Sequence, residues 1–363
     1  MYTEFDMKVC LVAANSLRVS PYIKKYADML DDNNIEYDII TKEHIREKNN
    51  IADASNIYFF RDAKNAVSKL LRHLKYANFV KKTLKKREYD KVVFFTGTNA
   101  AFSYFVFSGY MRKNFDYIID IRDYDKNFDN IFLSYYLNKA VKYADTVIIS
   151  SERFKSWLPK TNTVYVMHNL PNNSVKKEHT EVFAKEAVKI GYLGGIGYFE
   201  QNKSLADALR DSEKIRLIYR GIYPKEYNIK NYCEETNVKN AEFFGKYDDS
   251  EKAHLYSDID IINAVYGNDS LTVTTALPNK LYDSLYYKIP IMVSAGTYLA
   301  QIVEKYNLGF SVDTSDAHIN EKICDYIKNF DPHKFDQGCN QYLEYAEREQ
   351  KETVAKLHSF FEV

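Results

Sequence analysis

Residues Leu277–Ser294 read LPNKLYDSLYYKIPIMVS. Pro278 precedes a helical pattern that opens with Asn279, Lys280 and Leu281. Asp283 follows one turn after Lys280 on the same face. A Lys-Ile-Pro turn then feeds a short buried strand. A helix N-terminus presents free N–H groups suited to phosphate oxygens. Lys280 is placed to neutralise a diphosphate, and Asp283 to accept hydrogen bonds from ribose hydroxyls, as acids do in dinucleotide sites. A capped surface helix with an i,i+3 ion pair has the same spacing, and spacing alone does not separate the two.

Outward from this helix, strands and helices alternate. Lys189–Leu193 (KIGYL) reads as a strand that ends in Gly194-Gly195. Glycine there lets backbone approach a phosphate, although a tight turn is the plainer account. Helix is expected over Ser204–Asp211, strand over Ile215–Tyr219 and Ala241–Phe244, helix over Ser250–Tyr256 and strand over Ile259–Asn263. The loop after that strand carries Tyr266 and Asn268, placed to line a pocket, with Tyr266 able to stack on a nucleobase. Asp258-Ile259-Asp260 has the D-x-D form of a metal motif. In an alternating strand both acids share one face away from a cleft, so no metal is assigned there. Strands over Pro290–Val293 and Gly309–Val312 flank a helix over Tyr298–Tyr306, and helices follow to the end.

The first half repeats the pattern, with strands over Val9–Ala14, Glu36–Thr41, Lys91–Thr96, Tyr117–Ile121, Thr146–Ser150 and Val164–Met167. Helices are expected over Ser20–Leu30 (Ser20 as N-cap, Pro21 at the first helical position), Ala66–Arg87, Ala100–Met111 and Leu133–Tyr143. Polar Pro171–Lys185 reads as a linker. The fold class is therefore α/β, with two doubly wound parallel sheets in tandem and a ligand in the cleft at the strands' carboxyl ends.

Composition fits this. The 363 residues suit two domains, and 45% hydrophobic content is ample for two cores. Fifty Lys and Arg balance fifty Asp and Glu, which argues against a nucleic-acid binder. Cys10, Cys233, Cys324 and Cys339 form no close pair, so neither zinc nor a disulfide framework is expected, and a reducing cytoplasm fits. The acidic N-terminal residues do not make a secretory signal, and no apolar run approaches the ~20 residues of a membrane span. The 32 Tyr and 22 Phe read first as compositional bias.

The Leu277–Ser294 stretch resembles the P-S-K-L-x-E-Y-x-A-x-G-K-P-V-I-x-S block of GT-B glycosyltransferases of the family 4 type. Other segments resemble that family in the same order: ADTVIISS at Ala144–Ser151, VMHN at Val166–Asn169, KIGYLGG at Lys189–Gly195, Lys203 in QNKSLADAL, Tyr219-Arg220-Gly221, FFGK at Phe243–Lys246 and SDIDII at Ser257–Ile262. The resemblance implies a GT-B architecture of two doubly wound Rossmann-like domains facing a central cleft. Residues 1–170 would bind the acceptor, 171–185 would link, and 186–340 would bind a nucleotide-diphosphate sugar. A helix near 341–363 would pack back on the first domain. It implies a hexosyltransferase of cell-surface polysaccharide synthesis, acting with retention on a UDP-sugar and a glycan or polyprenyl-diphosphate-linked acceptor. No protein-bound metal or other cofactor is expected. Gly194, Gly195, Arg220, Tyr266, Asn279, Lys280, Leu281 and Asp283 would hold the donor, with Lys280 and Arg220 stabilising charge on the leaving diphosphate.

Departures from the family pattern matter. The family's Glu-x7-Glu becomes Thr275 and Asp283, the latter one methylene shorter. The glycine-rich loop after the first strand is replaced by NSLRVS, whose Ser16 and Arg18 would meet an anionic acceptor. Asp120-Ile121-Arg122-Asp123 resembles the D-x-R-D variant of envelope-sugar members. It puts Asp120 and Arg122 near the acceptor and Asp123 in a catalytic position, while an Arg–Asp network shaping the loop is an equal reading. His168 is taken as structural.

Residues 64–87 are rich in Lys and Arg with apolar residues between them, which suits an anionic membrane surface as well as a solvated helix face. A cytoplasmic protein is expected, peripheral at the inner face of the plasma membrane. Two rival readings are a GT-B sugar-nucleotide epimerase and a nucleotide-sugar-binding scaffold that has lost catalysis.

Overall fold

The computed structural model describes residues 7–15, 22–42, 54–61, 68–161, 163–170, 183 and 187–363. The chain divides into two compact units: Met1–Met167 with Glu349–Val363, and His168–Arg348.

Unit 1 runs β1 (Val9–Ala13), α1 (Ile23–Asp32), β2 (Tyr37–Lys42), β3 (Asn56–Phe60), α2 (Lys69–Arg87), β4 (Lys91–Phe95), α3 (Gly97–Asn114), β5 (Asp116–Ile121), α4 (Ile131–Tyr143), β6 (Thr146–Ile149) and β7 (Val164–Val166). The strands form one parallel sheet in the order β3-β2-β1-β4-β5-β6-β7. Helices cover both faces, so the central strands are apolar end to end; VCLVA of β1 is buried throughout. Val9, Leu11 and Ala13 pack with Ile23, Tyr26 and Leu30 of α1 and with Leu357, Phe360 and Phe361 near the C-terminus. Strand order reverses at β1, the place where an open α/β sheet leaves a crevice at its carboxyl edge.

Unit 2 runs β8 (Val188–Gly195), α5 (Phe199–Leu209), β9 (Ile215–Ile222), α6 (Ile229–Glu235), β10 (Ala241–Phe244), α7 (Lys252–Tyr256), β11 (Ile261–Ala264), α8 (Leu271–Thr275), α9 (Asn279–Tyr287), β12 (Ile291–Ser294), α10 (Tyr298–Lys305), β13 (Gly309–Val312), α11 (Ile319–Lys328) and α12 (Pro332–Phe361). Its parallel sheet has the order β10-β9-β8-β11-β12-β13, reversing at β8. Two apolar clusters build its core. One joins Leu193, Ile218 and Ile262 to α7, α9 and α10; the other joins Ile190, Tyr192 and Leu217 to α5 and α6. The long α12 starts in unit 2, and its last turns belong to unit 1. There Thr353 Oγ1 donates to the Val166 carbonyl and Lys356 Nζ lies 3.0 Å from Asp145.

Several sequence expectations shift. The first helix starts at Ile23 with Tyr22 at its N-cap, and Ser20 and Pro21 lie outside the described residues. So does the expected linker, apart from Phe183, whose ring packs on Phe330. Edge strand β3 and helices α6 and α8 were not anticipated; each is short, and β3 has no fully buried position. Helix α5 starts at Phe199 rather than Ser204 because Tyr198 turns the chain in a left-handed conformation.

Candidate functional site

The carboxyl edge of the unit 2 sheet begins at Gly194. It has φ +119°, and its register partner Gly221 has φ +148°. A Cβ on Gly221 would lie 1.7 Å from the Gly194 carbonyl oxygen, so the two strand ends close together because residue 221 is glycine, while glycine at 194 permits its positive φ. The loop that follows is held by two buried amides. Asn202 donates to the carbonyls of Gly197 and Tyr198 at 2.9 and 3.0 Å. Asn263 donates to Asn202 Oδ1 at 3.2 Å and accepts from the Val265 N–H. The turns after β8 and β11 are thereby locked to one another. Tyr198, at φ +56°, stacks on Tyr266 with ring centres 4.5 Å apart. Gly267 donates its N–H to Ser294 Oγ, tying in the end of β12.

Helix α9 enters beside this edge. Pro278 is its N-cap, no side chain caps the first turn and no acid lies in it; the Leu281 N–H turns back to the Pro278 carbonyl, and the N–H groups of Asn279 and Lys280 are left for an anion. Lys280 is 6% exposed. Its Nζ has no hydrogen-bond partner and stands 3.1 Å from the centre of the Tyr192 ring and 5.2 Å from that of Tyr266. Burial pushes its pKa well below the ordinary lysine range; Asp283 opposes that shift and Lys252 adds to it. Charging this buried amine, which has ring faces beside it and no acceptor, is costly until an anion arrives.

Asp283 is buried and already engaged. Lys252 Nζ of α7 is 2.8 Å from Oδ1, and the Tyr256 hydroxyl donates to Oδ2 at 2.9 Å. Both oxygens retain lone pairs for further donors. Lys252, Tyr256, Tyr192 and Tyr198 thus join the site although sequence reading did not single them out. Among 32 tyrosines no spacing marks the few that matter.

Other expected donor residues are placed differently. Arg220 lies over the Phe244 ring, 3.8 Å from its centre, and 4.0 Å from Asp258, with its Nε unpartnered. Its partners are thus distinct from those of Lys280. Asp258 and Asp260 precede β11 rather than lying within it, a correction to the strand reading. Asp258 pairs with Lys189 Nζ, and Asp260 accepts the Lys189 N–H, so both clip the start of β8. Lys203 lies over Tyr232 of α6. Thr275 bonds back to the Leu271 carbonyl. Asn279 is exposed at the mouth of α9, and Leu281 is in the core. His168 is buried, with Nδ1 2.8 Å from the Tyr282 hydroxyl.

In unit 1, the penultimate residue of β5 is Asp120, which is fully buried and clamped by Arg122 through Nε at 2.5 Å and an Nη at 2.7 Å, with the Tyr26 hydroxyl donating at 2.6 Å. Arg122 also donates to the Met167 carbonyl. Fork and carboxylate are used on each other, the geometry of a loop-shaping network. Asp123 is different. Its side chain reaches the surface, and among the described residues nothing hydrogen-bonds to it. Surrounding protein pushes its pKa up, with the Arg122 charge pulling the other way. Ser16 and Arg18 lie outside the described residues. Also among the described residues, no three or more His, Cys, Asp or Glu side chains group to hold a metal ion, and no helix is long and apolar enough to cross a membrane.

No family model matches the chain, and no curated protein matches it in sequence. Solved structures do match. Sucrose-phosphate synthase from Thermosynechococcus elongatus superposes with a TM-score of 0.70 at 13% identity, covering 98% of this chain and 99% of the other. Anabaena HepE, solved in complex with UDP and glucose, gives 0.68 at 12%, covering 97% and 100%. A glycosyltransferase from Rickettsia africae gives 0.67 at 14%, covering 98% and 99%. Together with the two parallel, doubly wound sheets, these full-length likenesses identify the fold as that of the GT-B glycosyltransferases, two Rossmann-like domains in one chain.

Proposed function

We propose that this chain is a glycosyltransferase that uses a UDP-linked sugar. Unit 2 takes the donor and unit 1 the acceptor, a glycan or lipid-linked chain of cell-surface polysaccharide synthesis. The observation that carries the reading is Lys280, a buried amine with no acceptor at the open N-terminus of α9. The β-phosphate supplies the missing anion, and the first-turn N–H groups and the backbone at Gly194–Gly195 take further phosphate oxygens. Asp283, positioned by Lys252 and Tyr256, receives the ribose hydroxyls, and the Tyr198–Tyr266 pair offers a flat surface to the base. Arg220, with a free Nε, is the second cation of this half.

During transfer the glycosidic bond to the diphosphate breaks, and negative charge grows on the leaving oxygen. A fixed amine and helix N–H groups stabilise that charge without reorganising. Retention through front-face attack follows the family pattern, with the diphosphate oxygen accepting the acceptor's proton. In this reading Asp123 is the unit 1 carboxylate that orients the acceptor hydroxyl. The basic stretch over 64–87, which includes helix α2, brings the enzyme to the anionic inner face of the membrane, where lipid-linked acceptors reside.

A UDP-N-acetylglucosamine 2-epimerase shares the fold, with a TM-score of 0.58 at 10% identity. Incubating the protein with a panel of labelled nucleotide sugars and a membrane extract separates the readings. Label moving to the lipid or glycan fraction, lost in Lys280→Ala, supports transfer. Epimerised nucleotide sugar with no transfer supports the epimerase, binding with neither reaction supports the scaffold, and normal turnover in Lys280→Ala refutes the site.

A further inference from the structure

Helices α2, α3 and α4 follow three successive crossovers that advance one way across the sheet, so right-handedness lays all three on one face. Helix α3 packs against both neighbours. This layer contains no Asp or Glu in any of its helices, in a chain whose charges balance. Eight Lys and Arg lie on α2, and two more on each of α3 and α4. The acids of the region lie in β5 and in the connections, Glu88, Asp90, Asp116 and Asp145 at one end and Asp120, Asp123, Asp125 and Asp129 at the other.

The same layer exposes large apolar groups. Ile131 is 88% and Phe132 54% exposed at the start of α4, and Tyr135 projects one turn later. Phe105 of α3 packs edge-on against Phe132 at 5.2 Å and Tyr136 at 4.9 Å, so the rings form one raised cluster. Cations border it: Lys139 over Tyr135, and Arg112 and Lys142 over Tyr143. Aromatic rings beside long basic side chains suit the boundary between lipid headgroups and acyl chains.

We propose that the α2–α3–α4 face is the docking surface for an anionic lipid bilayer, with Ile131, Phe132 and Phe105 inserting and the basic residues of α2 and α4 holding headgroups. Charge decides the occupant. A second copy meeting this face about a two-fold axis would set cations against cations. A nucleic acid would leave the protruding isoleucine and phenylalanine rings uncovered. The inference extends the membrane side of the proposed function to helices that reading did not use. Its test is binding alone, so it fails or succeeds apart from glycosyl transfer.

The experiment is co-sedimentation of the full chain with vesicles of equal parts phosphatidylglycerol and phosphatidylcholine, and with pure phosphatidylcholine, at low and high salt. The protein is expected to sediment with the anionic vesicles only, more weakly at high salt. Ile131→Ser/Phe132→Ser and, separately, Lys82→Glu/Lys85→Glu/Lys86→Glu are each expected to weaken binding at least about tenfold, with unchanged thermal unfolding. No sedimentation at low salt overturns the proposal. Binding indifferent to Ile131→Ser/Phe132→Ser overturns it too, as does retention on heparin without vesicle binding. A dimer that this double variant dissolves, again without vesicle binding, would assign the face to self-association.

Discussion

Lys280 concentrates the argument at the scale of single residues. A buried amine on two ring faces with no acceptor destabilises the empty protein, so Lys280→Met is expected to hold or raise the unfolding temperature while cutting turnover about 10²–10³-fold. Differential scanning calorimetry beside a transfer assay checks both. Its depressed pKa carries a sign. Above that pKa the empty site holds a neutral amine; a diphosphate raises the pKa, so binding takes up a proton. Donor affinity is full below the empty-site pKa and falls as pH rises through it toward the pKa of the complex. Calorimetric titrations in buffers of different ionisation enthalpy should show proton uptake in that window, and none in Lys280→Met. Unit 1 offers a contrast between neighbours. Arg122→Ala should cost about 3–5 kcal/mol in denaturant unfolding, because it strands buried Asp120. Asp123→Asn should leave unfolding unchanged and lower turnover.

At the scale of elements, the glycine pair is the narrowest passage. Gly221→Ala sets a methyl against the Gly194 carbonyl, and since backbone must move it should cost about 3 kcal/mol or more in chemical denaturation and loosen the nucleotide site. The sequence made β8, α9 and β12 legible, because apolar runs and a Pro-Asn-Lys helix start are local signals. It made Lys280 and Asp283 legible for the same reason. It did not reveal that Asp283 is shared with Lys252 and Tyr256, 31 and 27 positions away, nor that Asn202 and Asn263, 61 apart, lock two turns. Such pairings arise only when strands assemble. For Arg220, a strand-end position fixes only where the side chain starts; its place over Phe244 and beside Asp258 comes from residues distant in sequence. The tyrosine excess, read at first as bias, supplies the rings around Lys280 and the hydroxyl on Asp283.

Across the whole molecule, zero net charge conceals segregation. The acid-free layer of unit 1 is matched by acids elsewhere, so a composition that argues against polyanion binding coexists with a strongly basic face. The parallel sheets reverse strand order at β1 and β8, and the residues proposed to hold the donor gather at the second reversal. A ligand that binds only the folded state adds about 2.7 kcal/mol of stability at a hundred times its dissociation constant. Isothermal titration of UDP and UDP-sugars into the wild-type chain and into Lys280→Met therefore decides whether Lys280 holds a nucleotide diphosphate. Saturable binding by the wild type, weakened at least about tenfold in a folded Lys280→Met, is the expected result. No nucleotide binding by the wild type, or equal binding by both, would contradict it.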